Sequence, residues 1–95
     1  MVDSNGFEVR DKPEASRYEV VVDGETAVLE YERRGGSIVL VHTGVPETLA
    51  GRGIASALAR HALETARAEG TPVIVRCPYV RAWLRKNPGY RDVVA

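Results

Sequence analysis

The stretch that decides the fold is VPETLAGRGIASAL, residues 45–58. It begins where SIVLVHTGV (37–45), a run rich in β-branched residues, comes to an end. It closes inside an alanine-rich run in which Ile54, Ala55, Leu58, Ala59, Ala62, Leu63 and Ala66 recur at helical spacing. Arg60, Glu64 and Arg67 fall on the other side of that helix. The chain therefore passes from strand to helix across Gly51-Arg52-Gly53. A glycine turn at a helix N-terminus presents unpaired backbone N–H groups and the positive end of the helix dipole. Such a turn suits a phosphate. Two glycines by themselves also make a plain tight turn, and Arg52 between them is more than that needs.

Downstream, Gly70 and Pro72 stop the helix. VIV (73–75) is short and β-branched, and reads as a buried strand leading to Arg76 and Cys77. Pro78 suits the first turn of a second helix, whose apolar face is Tyr79, Val80, Trp83 and Leu84. Asn87-Pro88-Gly89 ends it, and residues 90–94 are expected to add a last extended piece. Residues 37–77 thus read strand, helix, strand, which normally closes as a right-handed crossover between parallel strands. The carboxyl ends of both strands then share one side, where open α/β sheets bind ligands. The glycine turn and Cys77-Pro78 are expected to meet there.

Upstream, the chain reads as an antiparallel meander. FEVRD (7–11) is a short strand or docking segment, punctuated by residues 11–14. RYEVVVD (17–23) runs into the hairpin signal Asp23-Gly24. ETAVLEYERR (25–34) alternates, with Ala27, Leu29 and Tyr31 facing one way, and Gly35-Gly36 marks a second hairpin. The expected fold is α/β (α+β): a meander, a β-α-β unit with a parallel strand pair, and a short C-terminal helix. One domain is expected over 1–95, with 1–6 as a loose end.

Composition agrees with a small globular domain: 95 residues, 44% hydrophobic and 27% charged. The single cysteine, Cys77, excludes an internal disulfide and a multi-cysteine metal site. No run resembles a signal peptide or approaches the roughly 20 apolar residues of a membrane span, so a cytoplasmic location is the default expectation. Residues 1–50 hold 5 Lys/Arg and 10 Asp/Glu, whereas residues 51–95 hold 8 and 3, so the halves carry −5 and +5. This split is either chance scatter over solvated faces or the mark of an anionic ligand near the second half and a cationic one near the first. Nothing forms the long basic patch expected for nucleic acid.

The residues just after the turn exclude two phosphate-binding classes. A kinase-type phosphate loop needs Lys-Ser/Thr after its second glycine, and here Ile54-Ala55 stands. A dinucleotide fold wants Gly or Ala where Ser56 stands, and an acid after the next strand, where Arg76-Cys77 stands.

The sequence resembles the GNAT superfamily of N-acetyltransferases, whose acetyl-CoA loop reads Gln/Arg-x-x-Gly-x-Gly/Ala. Residues 50–55 match it at Gly53 and Ala55. The resemblance is closer to small single-domain members, through His42-Thr43-Gly44-Val45-Pro46, Gly51-Arg52-Gly53-Ile54, Cys77-Pro78-Tyr79 and Asn87-Pro88. It extends over about residues 6–94. Two positions depart from the pattern: Ala50 replaces Arg or Gln, and Gly44 stands where close relatives usually carry an acid.

The resemblance implies acetyl-CoA as cofactor and an amine of unknown identity as acceptor. It implies pyrophosphate contacts from Arg52 and the backbone of Gly51, Gly53, Ile54 and Ala55. It further implies β-strand hydrogen bonds from Thr43, Gly44 and Val45 to the pantetheine arm, and a place for Asn87 near that arm. Acetyl transfer needs a neutral amine, whose ordinary pKa is about 10.4, donors for an oxyanion and a proton for the departing thiolate. Cys77, at a strand end before a helix and near Arg76 and Arg81, lies in a setting that favours a reactive thiol. It is a candidate nucleophile or acid, or else a small buried hydrophobe. His42 is chemically apt as a base, or else a packed structural histidine; strand alternation places it on the face of Ile38 and Leu40. Asp11 to Arg17 leaves no room for the helices that wall the acceptor pocket in larger superfamily members, so a shallow, open acceptor site is expected. The alternative to an enzyme is a non-catalytic acyl-CoA-binding or sensing module.

Overall fold

A computed structural model describes residues 6–95. The expected loose end at 1–6 therefore lies, but for Gly6, outside the described residues. Five strands form one mixed sheet in sequence order: β1 (Arg10–Lys12), β2 (Arg17–Val22), β3 (Glu25–Arg34), β4 (Ser37–Gly44) and β5 (Val73–Val75). All neighbouring strands are antiparallel except β4 and β5, which run parallel. Helix α1 (Ile54–Glu69) makes the crossover between them, and α2 (Pro78–Lys86) follows β5.

The hairpins follow from their turn residues. Asp23 and Gly24 both have positive φ, as do Gly35 and Gly36. This is the backbone twist that suits two-residue hairpins. The alternation in β3 holds: Ala27, Leu29 and Tyr31 are buried, with Tyr18 and Val20 beside them on β2. Helix α1 lays Ile54, Leu58, Ala62, Leu63 and Ala66 on that face. Val80 and Trp83 of α2 and Val93 join the same cluster. Alanines at 59, 62 and 66 alternate with Ile54, Leu58 and Leu63, so small and large side chains share the buried face.

Three local features differ from the sequence expectation. The first strand lies at Arg10–Lys12, not 7–11, and pairs with Arg17–Glu19. Lys12 precedes Pro13, which keeps it out of the helical region; Pro13–Ala15 then forms a 3-10 turn. The last piece is also a 3-10 turn, Pro88–Val93, and only Val94 bridges to Val73. Arg67 pins that turn to α1, donating to the Gly89 carbonyl at 2.6 Å and to Asp92 at 2.7 Å. The third difference concerns the site. In the β3–β4 register Glu30 faces His42, whereas Tyr31 faces Leu40. Val41 is thus an extra residue, a β-bulge. Beyond a bulge the two sides of a strand exchange. Thr43, opposite the buried Leu29, takes the side of Leu40, and His42 moves to the other face, where it is exposed.

The aromatic cluster under the β1 edge has a measurable consequence. The Tyr31 hydroxyl donates to Asp11 at 2.5 Å, and the Tyr18 and Tyr31 rings lie 5.0 Å apart. Burial, with the Asp11 charge next, pushes the Tyr18 phenol up from 10.0 to about 12. Burial and the bond to Asp11 push Tyr31 up as well. Both phenols are neutral in the folded state at pH values that ionise them when unfolded. Their stabilisation is complete below about pH 10 and is lost as pH rises toward 12. Spectrophotometric titration at pH 11 is expected to leave at least Tyr18 and Tyr31 un-ionised until the chain unfolds. Immediate ionisation of all four tyrosines in folded protein at that pH would contradict this.

Candidate functional site

The site is built where β4 and β5 part. Their ladder runs from Ile38 opposite Val73 to Leu40 opposite Val75. The Leu40 carbonyl then accepts from both Arg76 N at 2.9 Å and Cys77 N at 3.0 Å. That shared acceptor closes the ladder. Beyond it β4 continues to Gly44 along β3, while the other chain turns at Cys77-Pro78 into α2. A fork opens between them, with the β4 edge at residues 41–44 facing it.

On one arm of the fork the chain leaves β4 through Val45-Pro46 and a 3-10 turn, Glu47–Leu49. Leu49 is fully buried and anchors this turn to the core. Ala50 is extended, and Gly51 and Gly53 have φ of 79° and 85°. A side chain is disfavoured at such angles by roughly 1–2 kcal/mol, which is why glycines stand there. Gly53 is the N-cap of α1, has no side-chain cap, and is followed by no acid in the first turn. The first helical hydrogen bond runs from Ala57 N to Gly53 O at 3.0 Å. The amides of Ile54, Ala55 and Ser56 accordingly lie before the first i→i−4 bond and point along the helix axis. They open on a groove of about 310 Å³ walled by Val45, Leu49, Tyr79 and the turn residues 50–51 and 53–56.

On the other arm, Cys77 is 1% exposed, and its Sγ lies 3.2 Å from Thr43 Oγ1. The bulge at Val41 brings about this contact, because it aims Thr43 into the fork. It also separates His42 from Cys77: the two lie on opposite sides of β4. The His42 ring instead reaches along the outer face, where a β-carbon on Gly44 would lie 3.5 Å from its Nε2. Arg81 donates to the Val75 carbonyl at 3.1 Å.

The structure brings Thr43, Val45, Gly51, Gly53, Ile54, Ala55 and Cys77 to the fork and its groove. Gly44 closes β4 with its α-carbon on the outer face. Arg52 is exposed, and its Nη1 lies 3.8 Å from Asp23 on the β2–β3 turn, outside the groove lining. Asn87 donates from Nδ2 to the Trp83 carbonyl at 2.9 Å and ends α2. It lies about 12 Å along the helix from Tyr79.

Two side chains of the groove, Tyr79 and Ser56, are given no functional role by the sequence. Tyr79 faces the groove, while Val80 and Trp83 carry the apolar face of α2. Burial raises the Tyr79 phenol above its ordinary value, the Cys77 thiol adds to this, and Ser56 and Arg60 oppose it. Ser56 accepts from Trp83 Nε1 at 2.8 Å, tying the first turn of α1 to α2. The available signal for Tyr79 was its place directly after Cys77-Pro78; helical periodicity gave it to the core instead. Among the described residues no cluster of His, Cys, Asp and Glu has the makings of a metal site, and no helix is long and apolar enough to cross a membrane.

A parallel fork beside a glycine-turn helix N-terminus, at the end of an antiparallel meander, defines an α+β domain of the N-acetyltransferase type. The chain belongs to the GCN5-related N-acetyltransferase family, whose model matches residues 17–93. It is similar to the protein NATD1 of Bos taurus, 43% identical over 65 residues, which is 67% of this chain and 58% of that protein. The protein NATD1 of Xenopus tropicalis is 33% identical over 88 residues, 90% of this chain and 81% of that protein. The matched stretch thus spans less than three-fifths of the bovine relative's length. A GCN5-like protein of Staphylococcus aureus, solved in solution by NMR, superposes with a TM-score of 0.73 at 26% identity, over 97% of this chain and 90% of that one.

Proposed function

We propose that the fork binds acetyl-CoA and that the domain transfers its acetyl group to an amine. The observation that carries this is the convergence of the uncapped α1 N-terminus and the open β4 edge on one groove. Backbone amides of Ile54, Ala55 and Ser56, with those of the glycine turn, suit a pyrophosphate. Each charge-assisted hydrogen bond of this kind contributes roughly 1.5–3 kcal/mol. Ala50 supplies no side chain to them, so binding rests on the backbone. Thr43, Gly44 and Val45 offer an edge for the amides of a pantetheine arm.

Acetyl-CoA, when bound, supplies a thioester carbonyl open to attack by a neutral amine. The chain's own part is to hold that carbonyl in the fork and to protonate the departing thiolate. Cys77, hydrogen-bonded to Thr43, and the neutral Tyr79 phenol are the two proton sources at the fork. In a two-step form of the reaction Cys77 takes the acetyl group as the thioester C–S bond breaks, its proton going to the departing CoA thiolate. The amine then takes the acetyl group and returns a proton to the thiol. The acceptor site is open, because β1 and β2 are joined only by the short Pro13–Ala15 turn.

A second reading, a non-catalytic acyl-CoA-binding module, is favoured by His42 lying on the far side of β4 from Cys77. Calorimetry with acetyl-CoA, CoA and ATP separates the readings. Saturable binding of the two CoA species and not ATP is expected; none at millimolar ligand removes both readings. Transfer across an amine panel supports the enzyme, and binding with no transfer supports the second reading. Cys77→Ala is expected to lower turnover at least tenfold with CoA affinity retained. Full transfer by that variant, or by protein alkylated at Cys77, removes the thiol from the mechanism.

A further inference from the structure

A second hollow lies away from the groove. It has a volume of about 490 Å³ and is formed by β5, α2 and the segment after it. Helix α2 stands between the two: Tyr79 faces the groove, and Arg81, Leu84 and Arg85 face the hollow. Its floor is apolar, with Ile74, Leu84 and Val94. Ile74 is one of three large hydrophobic residues left exposed among those described, at 38%. Its rim carries Arg81, Arg85 and Arg91, and no acidic side chain lines it.

The arginines differ in what they already hold. Arg81 gives one nitrogen to the Val75 carbonyl, which fixes its guanidinium over the end of β5. Among the described residues Arg85 and Arg91 have no hydrogen bond or ion pair, in a chain whose Arg10, Arg17, Arg34, Arg52 and Arg67 all find carboxylates. Three like charges around one apolar floor repel one another and leave donor forks unfilled. A guanidinium fork matches a carboxylate in two parallel hydrogen bonds. The size falls within the roughly 300–1,000 Å³ usual for small-ligand sites, which pair apolar walls with a few placed polar groups.

The geometry points to this hollow as a binding site for a carboxylate carried on an apolar stem, the carboxylate on Arg85 and Arg91 and the stem on Ile74, Leu84 and Val94. The same chemistry is offered by a free aliphatic acid and by a peptide ending in an apolar residue.

The test uses the full chain and four probes: hexanoate, an N-acetyl-alanyl-leucine with free carboxyl end, hexan-1-ol and acetate. Amide shifts in two-dimensional NMR report the place and the affinity. Saturable shifts of Ile74, Leu84 and Val94 with either stemmed carboxylate are expected, and the tighter of the two identifies the source. Hexanol and acetate, which have stem or charge alone, are expected to bind at least tenfold more weakly. The double variant Arg85→Gln, Arg91→Gln removes only exposed, unpaired charge and leaves the fold intact. It is expected to weaken hexanoate at least tenfold and leave CoA binding unchanged, so this site and the fork stand or fall separately. The inference is overturned by shifts that centre on Ile54–Ser56, by hexanol binding as well as hexanoate, or by undiminished affinity in the double variant. Ile74→Asp, which sets a carboxylate on the floor, is expected to abolish the shifts.

Discussion

Leu58→Ala is expected to lower the unfolding free energy by about 3 kcal/mol and the melting temperature by roughly 12–20 °C. Leu58 lies one turn into α1, is fully buried, and belongs to the cluster that joins helix to sheet. Ala62, one turn further along the helix face, has nothing to move into the space. The cavity therefore stays open, and the loss sits toward the middle of the usual Leu→Ala range. A chain of 95 residues has a total stability of only about 5–15 kcal/mol. One such substitution removes a large part of it. Leu84→Ala is the contrast: that side chain is half-buried on the floor of the open hollow, and about 1 kcal/mol is expected. Urea unfolding followed by circular dichroism measures both. Equal losses for the two would mean that α1 is not the element that closes the core.

Much of this architecture was legible because its signals are local. The two hairpins follow from Asp23-Gly24 and Gly35-Gly36, and the period change after Pro46 marks the helix. The parallel pair followed from a single rule about crossovers. The site was legible as a place, since one crossover brings the glycine turn and Cys77 to the same strand ends. Its internal geometry was not. The side of β4 on which His42 lies depends on the bulge at Val41, and neither Val41 nor its flanking residues announce an extra residue. A bulge is decided by pairing with β3, a non-local matter. Arg52 is drawn to Asp23 on the β2–β3 turn, and Asn87 bonds back to the Trp83 carbonyl of its own helix. Neither partner belongs to the motif in which the residue stands. Tyr79 was hidden for a different reason: a large aromatic at helical spacing looks like core until the helix is set against its neighbours.

Ala55→Asp is expected to weaken CoA binding by 30-fold or more while leaving the fold as stable or slightly more so. The two effects have opposite signs for one reason. Ala55 is the second residue of α1, in a first turn that has no acid and no side-chain cap. A carboxylate there meets unpaired amides and the positive end of the helix dipole, which stabilises the helix by about 0.3–1 kcal/mol. Those same amides are the donors proposed for pyrophosphate. The new carboxylate both occupies them and repels the phosphate charge, so loss of about two charge-assisted bonds is expected, near 2–3 kcal/mol after solvent takes its share. Trp83 gives a direct reading, because its indole donates to Ser56 on the wall of the groove and it is the chain's only tryptophan. Its fluorescence is expected to shift on titration of the parent chain with CoA and to stay flat for the variant. Ala55→Ser, which adds bulk without charge, controls for crowding and is expected to keep binding within about threefold, a difference under 1 kcal/mol. Undiminished CoA affinity in Ala55→Asp, with its raised melting temperature, would place the phosphates elsewhere and remove the α1 N-terminus from the site.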